Sequence, residues 1–284
     1  MSMESFVPRL PVDSESIQFH DWVISYEKSH ILKSSCQLGT AECCPKDSAD
    51  RCDLCHYQHS LQLPHLPDMV FHKNRLVLKH KDGAALEFCP MDALALVDNG
   101  KQPLEVACAQ EWRETRNEQT MEEKFKPFDW TFTSTYQGTM NEKVRSETTD
   151  QTLNKFKLMQ RENIIFYHDL TLFEDELHDH GISVMSVRIS PSPRSPTLSG
   201  TARDALWFLH PFAPLSARGP RANPGCTTPR FHHEIENDFI LKEYIHREAP
   251  CTELQNSVAS WTNPDAMQEF VPVKSKQLHK LFFK

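Results

Sequence analysis

Two short stretches carry side chains capable of chemistry. The first, LFEDELHDHG at residues 172–181, sets Glu174, Asp175, Glu176 and Asp179 among His178 and His180, just before Gly181. On a helix, Glu174 with His178 and Glu176 with His180 stand one turn apart, so each pair shares a face. Such pairs could hold a metal, and a metal-dependent hydrolase using Glu174, His178 and His180 is the rival reading. One helix end rarely supplies a whole coordination shell, however, and nothing marks the missing ligands. A solvated helix end and a recognition surface made of Glu174, Asp175, Glu176, His178 and Asp179 remain. Carboxylates at the negative end of a helix dipole cost local stability, and broken local rules tend to accompany function. Protonated His178 or His180 would offset that cost and make this end pH-sensitive.

The second stretch is CDLCH at residues 52–56, preceded by Cys43 and Cys44. A two-residue gap between cysteines lets two thiolates share one zinc, which makes Cys43, Cys52, Cys55 and His56 the candidate ligand set. A second such gap is absent, and adjacent cysteines suit a shared tetrahedral site poorly. Thiols in a variable loop are the simpler reading, and no cofactor is expected. The same residues match the haem-attachment pattern, which is discounted because the chain shows no export signal. Nine cysteines is an odd number, and no disulfides are assigned.

These residues need elements to position them. Apolar–polar alternation at Ile17, Phe19, Trp22 and Ile24 predicts strands over 17–32, and residues 36–63 lose any period and read as an inserted loop. Leu76–Leu78, a turn at Asp82-Gly83 and a return through Leu86 and Phe88 predict a hairpin. Pro90 opens a short helix in PMDALALV, and LEVACAQEWRETR predicts another. Phe128, Trp130, Phe132 and Tyr136 alternate with polar residues as on a strand with one aromatic face, most simply a core face. Phe156, Met159, Phe166, Leu170, Phe173 and Leu177 fall on a three-four spacing that predicts one long amphipathic helix over 150–180, capped by Thr149 or Asp150 and stopped at Gly181. A strand is expected at ISVMSVRI. Residues 190–230 hold eight prolines and one apolar patch, LWFLHPF, and read as irregular. Beyond them, FHHEIENDFILKEYIHREA fits strand or helix, and QEFVPVKSKQLHKLFF a short strand followed by a helix.

A chain of 284 residues can bury a full core, and a single domain is expected over 1–284. The formal charge of −8 without a dense Lys/Arg cluster argues against nucleic acid as a partner. With no apolar run of membrane length and no signal segment at the N-terminus, the expectation is a soluble cytoplasmic protein that needs no membrane. No glycine-framed serine, phosphate-cradling loop or convincing Cys–His pair marks a nucleophile, so catalysis lacks a candidate site.

Several blocks together resemble one family. KPFDWTFTSTYQGT, VACAQEWRETR and LFEDELHDHG are similar to signature segments of the TIPRL family, the TIP-forty-one-like regulators of TOR signalling. DWVISYEKSHILKSS, LPHLPDMVFHKNRLVLKH, PMDAL, LKEYIHREA and VPVKSKQLHKL agree in the same order. The resemblance implies an α+β fold of layered, largely antiparallel β-sheets with flanking helices. It also implies a non-catalytic protein that binds and modulates, by expectation inhibits, catalytic subunits of protein phosphatase 2A and its relatives. A cleft would receive the C-terminal tail of the phosphatase, with one binding position falling on Asp92. Where the family continues from SVRI into a long apolar run crossing two strands, this chain carries proline-rich text. Proline removes ladder donors, so the loss of those two strands is expected here.

Overall fold

A computed structural model describes residues 13–36, 44, 51–61, 63, 65–97, 132, 134–154, 164–174, 182–190, 205–209, 212–213, 225–234, 237–249 and 271–283. The first part of the chain forms β1 (Asp13–Phe19), β2 (Trp22–Lys28), α1 (Asp53–Ser60), β3 (Met69–Val70), β4 (Arg75–His80), β5 (Ala85–Phe88) and α2 (Pro90–Ala95). There follow β6 (Thr139–Met140), β7 (Val144–Thr148), β8 (Phe166–Glu174), β9 (Ile182–Ser190), β10 (Ala205–Leu209) and β11 (Phe212–Ala213). The last elements are β12 (Gly225–Glu234), β13 (Phe239–Glu248) and β14 (Val273–Phe283).

All the pairings between these strands are antiparallel. Five strands in the order β1-β2-β4-β5-β6 make the smaller sheet, and nine make the larger, ordered β3-β8-β9-β10-β12-β13-β14-β7 with β11 beside β9 and β12. The apolar faces of the two sheets meet in one core. Trp22 packs on Phe283 with ring centroids 5.0 Å apart, Tyr26 on Phe166 at 6.2 Å, and Phe88 on Phe231 at 5.7 Å. Layered antiparallel sheets are therefore present, as the resemblance implied.

Local sequence explains several elements directly. The hairpin β4–β5 turns at Asp82-Gly83, where Gly83 takes φ +86°. Pro90 stands in the first turn of α2, and Asp92 in that turn favours the positive end of the helix dipole. In β9 the buried residues Ser183, Met185, Val187 and Ile189 alternate with half-exposed Ile182, Val184, Ser186 and Arg188.

The stretch 36–63, read as an inserted loop, contains helix α1, and three further expectations need correction. The amphipathic helix over 150–180 does not form as read: residues 166–174 are strand β8, and residues 175–181, Gly181 among them, lie outside the described residues. The reason is a β-bulge. Phe166, Leu170 and Leu172 follow the strand period of two, the register shifts between Thr171 and Phe173, and Phe173 is buried as well. That shift places Phe166, Leu170 and Phe173 four and three residues apart and imitates a helix. Second, where a short strand followed by a helix was expected in QEFVPVKSKQLHKLFF, Val273–Phe283 is all strand β14, paired residue for residue with β13 from Phe239↔Phe282 to His246↔Ser275. Third, the segment expected to be irregular contains β10, hydrogen-bonded between β9 and β12. The apolar patch supplies that strand, and Pro229 is accommodated within β12 opposite Tyr244. The two strands expected to be lost are thus replaced from the divergent text itself.

Of the aromatic strand, Phe128 and Trp130 lie outside the described residues, as does the helix expected at LEVACAQEWRETR. Phe132, Ser134 and Tyr136 are all buried, and among the described residues of the segment the pairing is one isolated bridge, Val97↔Ser134.

One side chain clips the two sheets together. Asn74, 4% exposed, accepts from Ser29 N at 2.6 Å and donates through Nδ2 to Thr171 O, also at 2.6 Å. Ser29 follows β2 and Thr171 sits at the bulge of β8. Asn74→Ala is expected to leave both groups unsatisfied at a cost of about 2 kcal/mol, read as a lower urea midpoint with an unchanged m-value. An unchanged midpoint would mean that the clip contributes nothing.

Candidate functional site

Asp92 is the sequence-predicted residue whose surroundings are best described. Pro90 starts its helix, and Ala93 and Leu94 bury the helix against the core while Asp92 stays half-exposed. The segment 134–140 then straps α2 down. Ser134 Oγ donates to Ala93 O at 2.7 Å, Ser134 bridges Val97, and Thr139 Oγ1 donates to Asp92 Oδ2. Tyr136 completes the network from below: its hydroxyl donates to Glu87 O at 3.1 Å, accepts from Cys89 N at 3.3 Å and lies 3.1 Å from Thr139 Oγ1. Burial raises the Tyr136 phenol well above its ordinary range, so it stays neutral.

Cys89, the N-cap residue of α2, is pushed up to about 12, chiefly by burial, with the backbone N–H of Asp92 opposing the shift and its carboxylate adding to it. It therefore remains a thiol at neutral pH, without the thiolate character of a nucleophile. Beside this network, Arg75 grips Glu87 through two contacts, Nε–Oε1 at 2.6 Å and Nη2–Oε2 at 2.8 Å. Asp92 makes no ion pair among the described residues. It is an acidic group that accepts from the neutral hydroxyl of Thr139 in β6, the edge strand of the smaller sheet among the described residues.

The acidic motif is placed differently from expectation. Glu174 ends strand β8, half-buried, between Met69 of β3 and Ile182 of β9. The helical spacing that would have joined Glu174 to His178 does not apply there. Asp175, Glu176, His178, Asp179 and His180 lie outside the described residues. The elements bearing Asp92 and Glu174 are in contact, since α2 packs against β8.

The cysteine set also changes. Cys52 and Cys55 do come together, but with Cys36 and Cys44, the four sulfurs lying within 4.8 Å of one another. Cys43 lies outside the described residues, and His56 is not in the group. Sequence reasoning missed Cys36 because it sits sixteen residues before the CDLCH motif, where only the folded loop brings it back. The available signal was that one of the two adjacent cysteines suffices.

Fold and site define a class of protein: two facing antiparallel sheets that carry a rigid acidic helical turn at the edge of the smaller one. Comparison with known proteins makes this particular. A profile of the TIP41-like family matches residues 69–198. The chain is 33% identical over 274 residues to the TIP41-like protein of Rattus norvegicus, covering 95% of this chain and 90% of that protein. It is 34% identical over 270 residues to the TIP41-like protein of Homo sapiens, covering 93% and 88%. A relative from Schizosaccharomyces pombe, 27% identical over 240 residues with 83% and 82% covered, is named type 2A phosphatase activator tip41. The chain belongs to the TIP41-like family.

Proposed function

We propose that this protein regulates type 2A Ser/Thr phosphatases by binding their catalytic subunits and catalyses no reaction itself. The carrying observation is Asp92, presented half-exposed on a turn that Thr139, Ser134 and Tyr136 immobilise, with no cation on it among the described residues. An immobilised, uncompensated carboxylate beside an edge strand suits an extended peptide that pairs by its main chain and offers a donor or cation to the acid. In this reading the peptide is the C-terminal tail of the phosphatase. Glu174, at the end of β8 on the neighbouring sheet, is proposed as a further partner-binding residue, together with Asp175, Glu176, His178 and Asp179, which lie outside the described residues. The partner is supported by the name of the fission-yeast relative, which is a type 2A phosphatase activator. A role in TOR signalling is proposed on the family resemblance, and a cytoplasmic location is proposed with it. Among the described residues no helix is long and apolar enough to cross a membrane.

The test is capture of purified phosphatase catalytic subunit, with its tail intact or removed. Asp92→Ala is expected to weaken capture of the intact subunit about tenfold, near 1.4 kcal/mol, through a faster off-rate. Removal of the tail should produce a similar loss. Equal capture by wild type and Asp92→Ala would remove Asp92 from the interface, and no capture at all would remove the reading. Phosphatase activity measured in the complex gives the sign of the regulation. Inhibition was the expectation from the sequence, whereas the yeast relative's name says activator.

A further inference from the structure

We propose that Cys36, Cys44, Cys52 and Cys55 form a closed, structural four-cysteine zinc site that ties Cys36 and Cys44 to the start of helix α1. The sulfur spacing suits a tetrahedral ligand set, all four sulfurs lying within 4.8 Å of one another. Cys36 Sγ lies 3.6 Å from Cys44 Sγ, 3.8 Å from Cys52 Sγ and 3.6 Å from Cys55 Sγ. Zinc–sulfur bonds of about 2.3 Å in a tetrahedral site separate the sulfurs by roughly 3.8 Å. A disulfide would need about 2.05 Å, so none of these pairs is bonded, and the sulfurs stand at the spacing of ligands around one ion.

Packing supports the same conclusion. Cys44, Cys52 and Cys55 are buried in a cluster of their own, to which only Cys36 and Leu54 add partly buried apolar surface among the described residues. Cysteine side chains bury little apolar area, so this cluster, separate from the main core that takes Tyr57 and Leu61, is of the kind held by a metal or by disulfides. Helix α1 supplies two of the sulfurs, Cys52 as its N-cap and Cys55 in its first turn. The positive end of the helix dipole there favours thiolates. The rest of α1 is fastened to the body: Tyr57 Oη donates to His72 O at 2.9 Å, and His72 Nε2 lies 3.1 Å from Asp53 Oδ2. Leu54 packs against both the cysteine cluster and the main core. His59 Nε2 lies 3.1 Å from Cys44 O and holds Cys44 from outside the ligand set.

Binding converts four thiols and one Zn²⁺ into a tetrathiolate complex and releases up to four protons to solvent, with no change of oxidation state. Because all four positions are taken by cysteine, no site is left for a water or substrate, and the role is structural.

Elemental analysis of the full-length protein purified without chelator is expected to show a single zinc per chain. Cys52→Ser and Cys55→Ser should lose it, whereas Cys43→Ser should keep it. A serine variant could lose metal by failing to fold, so reduced, metal-stripped wild type is also titrated with Co²⁺. The visible bands and sulfur-to-cobalt charge transfer of a tetrahedral tetrathiolate are expected, with proton release. Wild type that holds no zinc and yields no such spectrum would overturn the proposal. So would alkylation of unreduced protein that finds these cysteines in disulfides, or full zinc retention by Cys55→Ser. Each readout concerns the metal alone and is independent of phosphatase binding.

Discussion

Gly138→Ala is expected to destabilise the protein by about 3–4 kcal/mol, whereas Gly83→Ala should cost only about 1 kcal/mol. The two glycines share a left-handed backbone, with φ of +84° and +86°, so the conformational strain of a side chain is the same at both. What differs is the space. A Cβ on Gly83 would meet the end of Lys143, with Nζ at 2.8 Å, and that flexible chain can swing aside. A Cβ on Gly138 would stand 2.7 Å from Phe88 Cε1 and 2.9 Å from Leu86 Cδ1, side chains locked in the core between the sheets. Relief requires the turn to lift, which draws Thr139 away from Asp92 and Tyr136 away from Glu87. Urea unfolding of both variants checks this, and equal costs at the two positions would refute it. Phosphatase capture by folded Gly138→Ala should also fall, since Gly138 lies within the strap that orients Asp92.

Lys242→Met is expected to stabilise the protein by about 2–3 kcal/mol at pH 7. Lys242 is 6% exposed on β13, opposite Phe231 of β12 and His279 of β14, with its ammonium 5.8 Å from the centre of the Phe231 ring. Burial alone lowers its pKa to about 8. His279 is lowered too, by burial and then by Lys242. The adjacent Glu243 shows the contrast: equally buried, it is matched by Lys276 at 2.7 Å and Arg230 at 3.5 Å.

The sign of the pH dependence follows from the depressed lysine. Below about pH 8 both folded and unfolded chains carry the proton, and the folded state bears the full cost of the buried charge. Between about 8 and the ordinary lysine value near 10.4, the unfolded chain binds the proton and the folded one does not, so stability rises with pH. Denaturant unfolding at pH 7 and pH 9.5 should therefore show wild type gaining stability relative to Lys242→Met. Parallel behaviour of the two proteins would mean that the ammonium is solvated in the folded state.

Much of the architecture is readable in short windows because the forces that set it act within them. The turn at Asp82-Gly83, the proline opening α2 and the alternation of ISVMSVRI each depend on neighbours a few residues away, and each is present in the fold. Asp92 was likewise placeable in a helical first turn from PMDAL alone. The contacts that hold it were not, since Thr139 reaches Asp92, and Ser134 and Tyr136 reach the neighbouring Ala93 and Cys89, from more than forty residues downstream.

By itself, then, the amino-acid order determined the family, the antiparallel β character of the fold and the hairpins whose turns are local. Only the tertiary structure decided that residues 166–174 are strand, that LWFLHPF contributes a replacement strand, and that Cys36 and Cys44 join Cys52 and Cys55. A bulge leaves a helical spacing in a strand because the register is set by the partner strands β3 and β9, and periodicity records only which side chains are buried. Sulfurs separated by loops converge only once those loops are folded, and no spacing rule within the loop encodes that meeting.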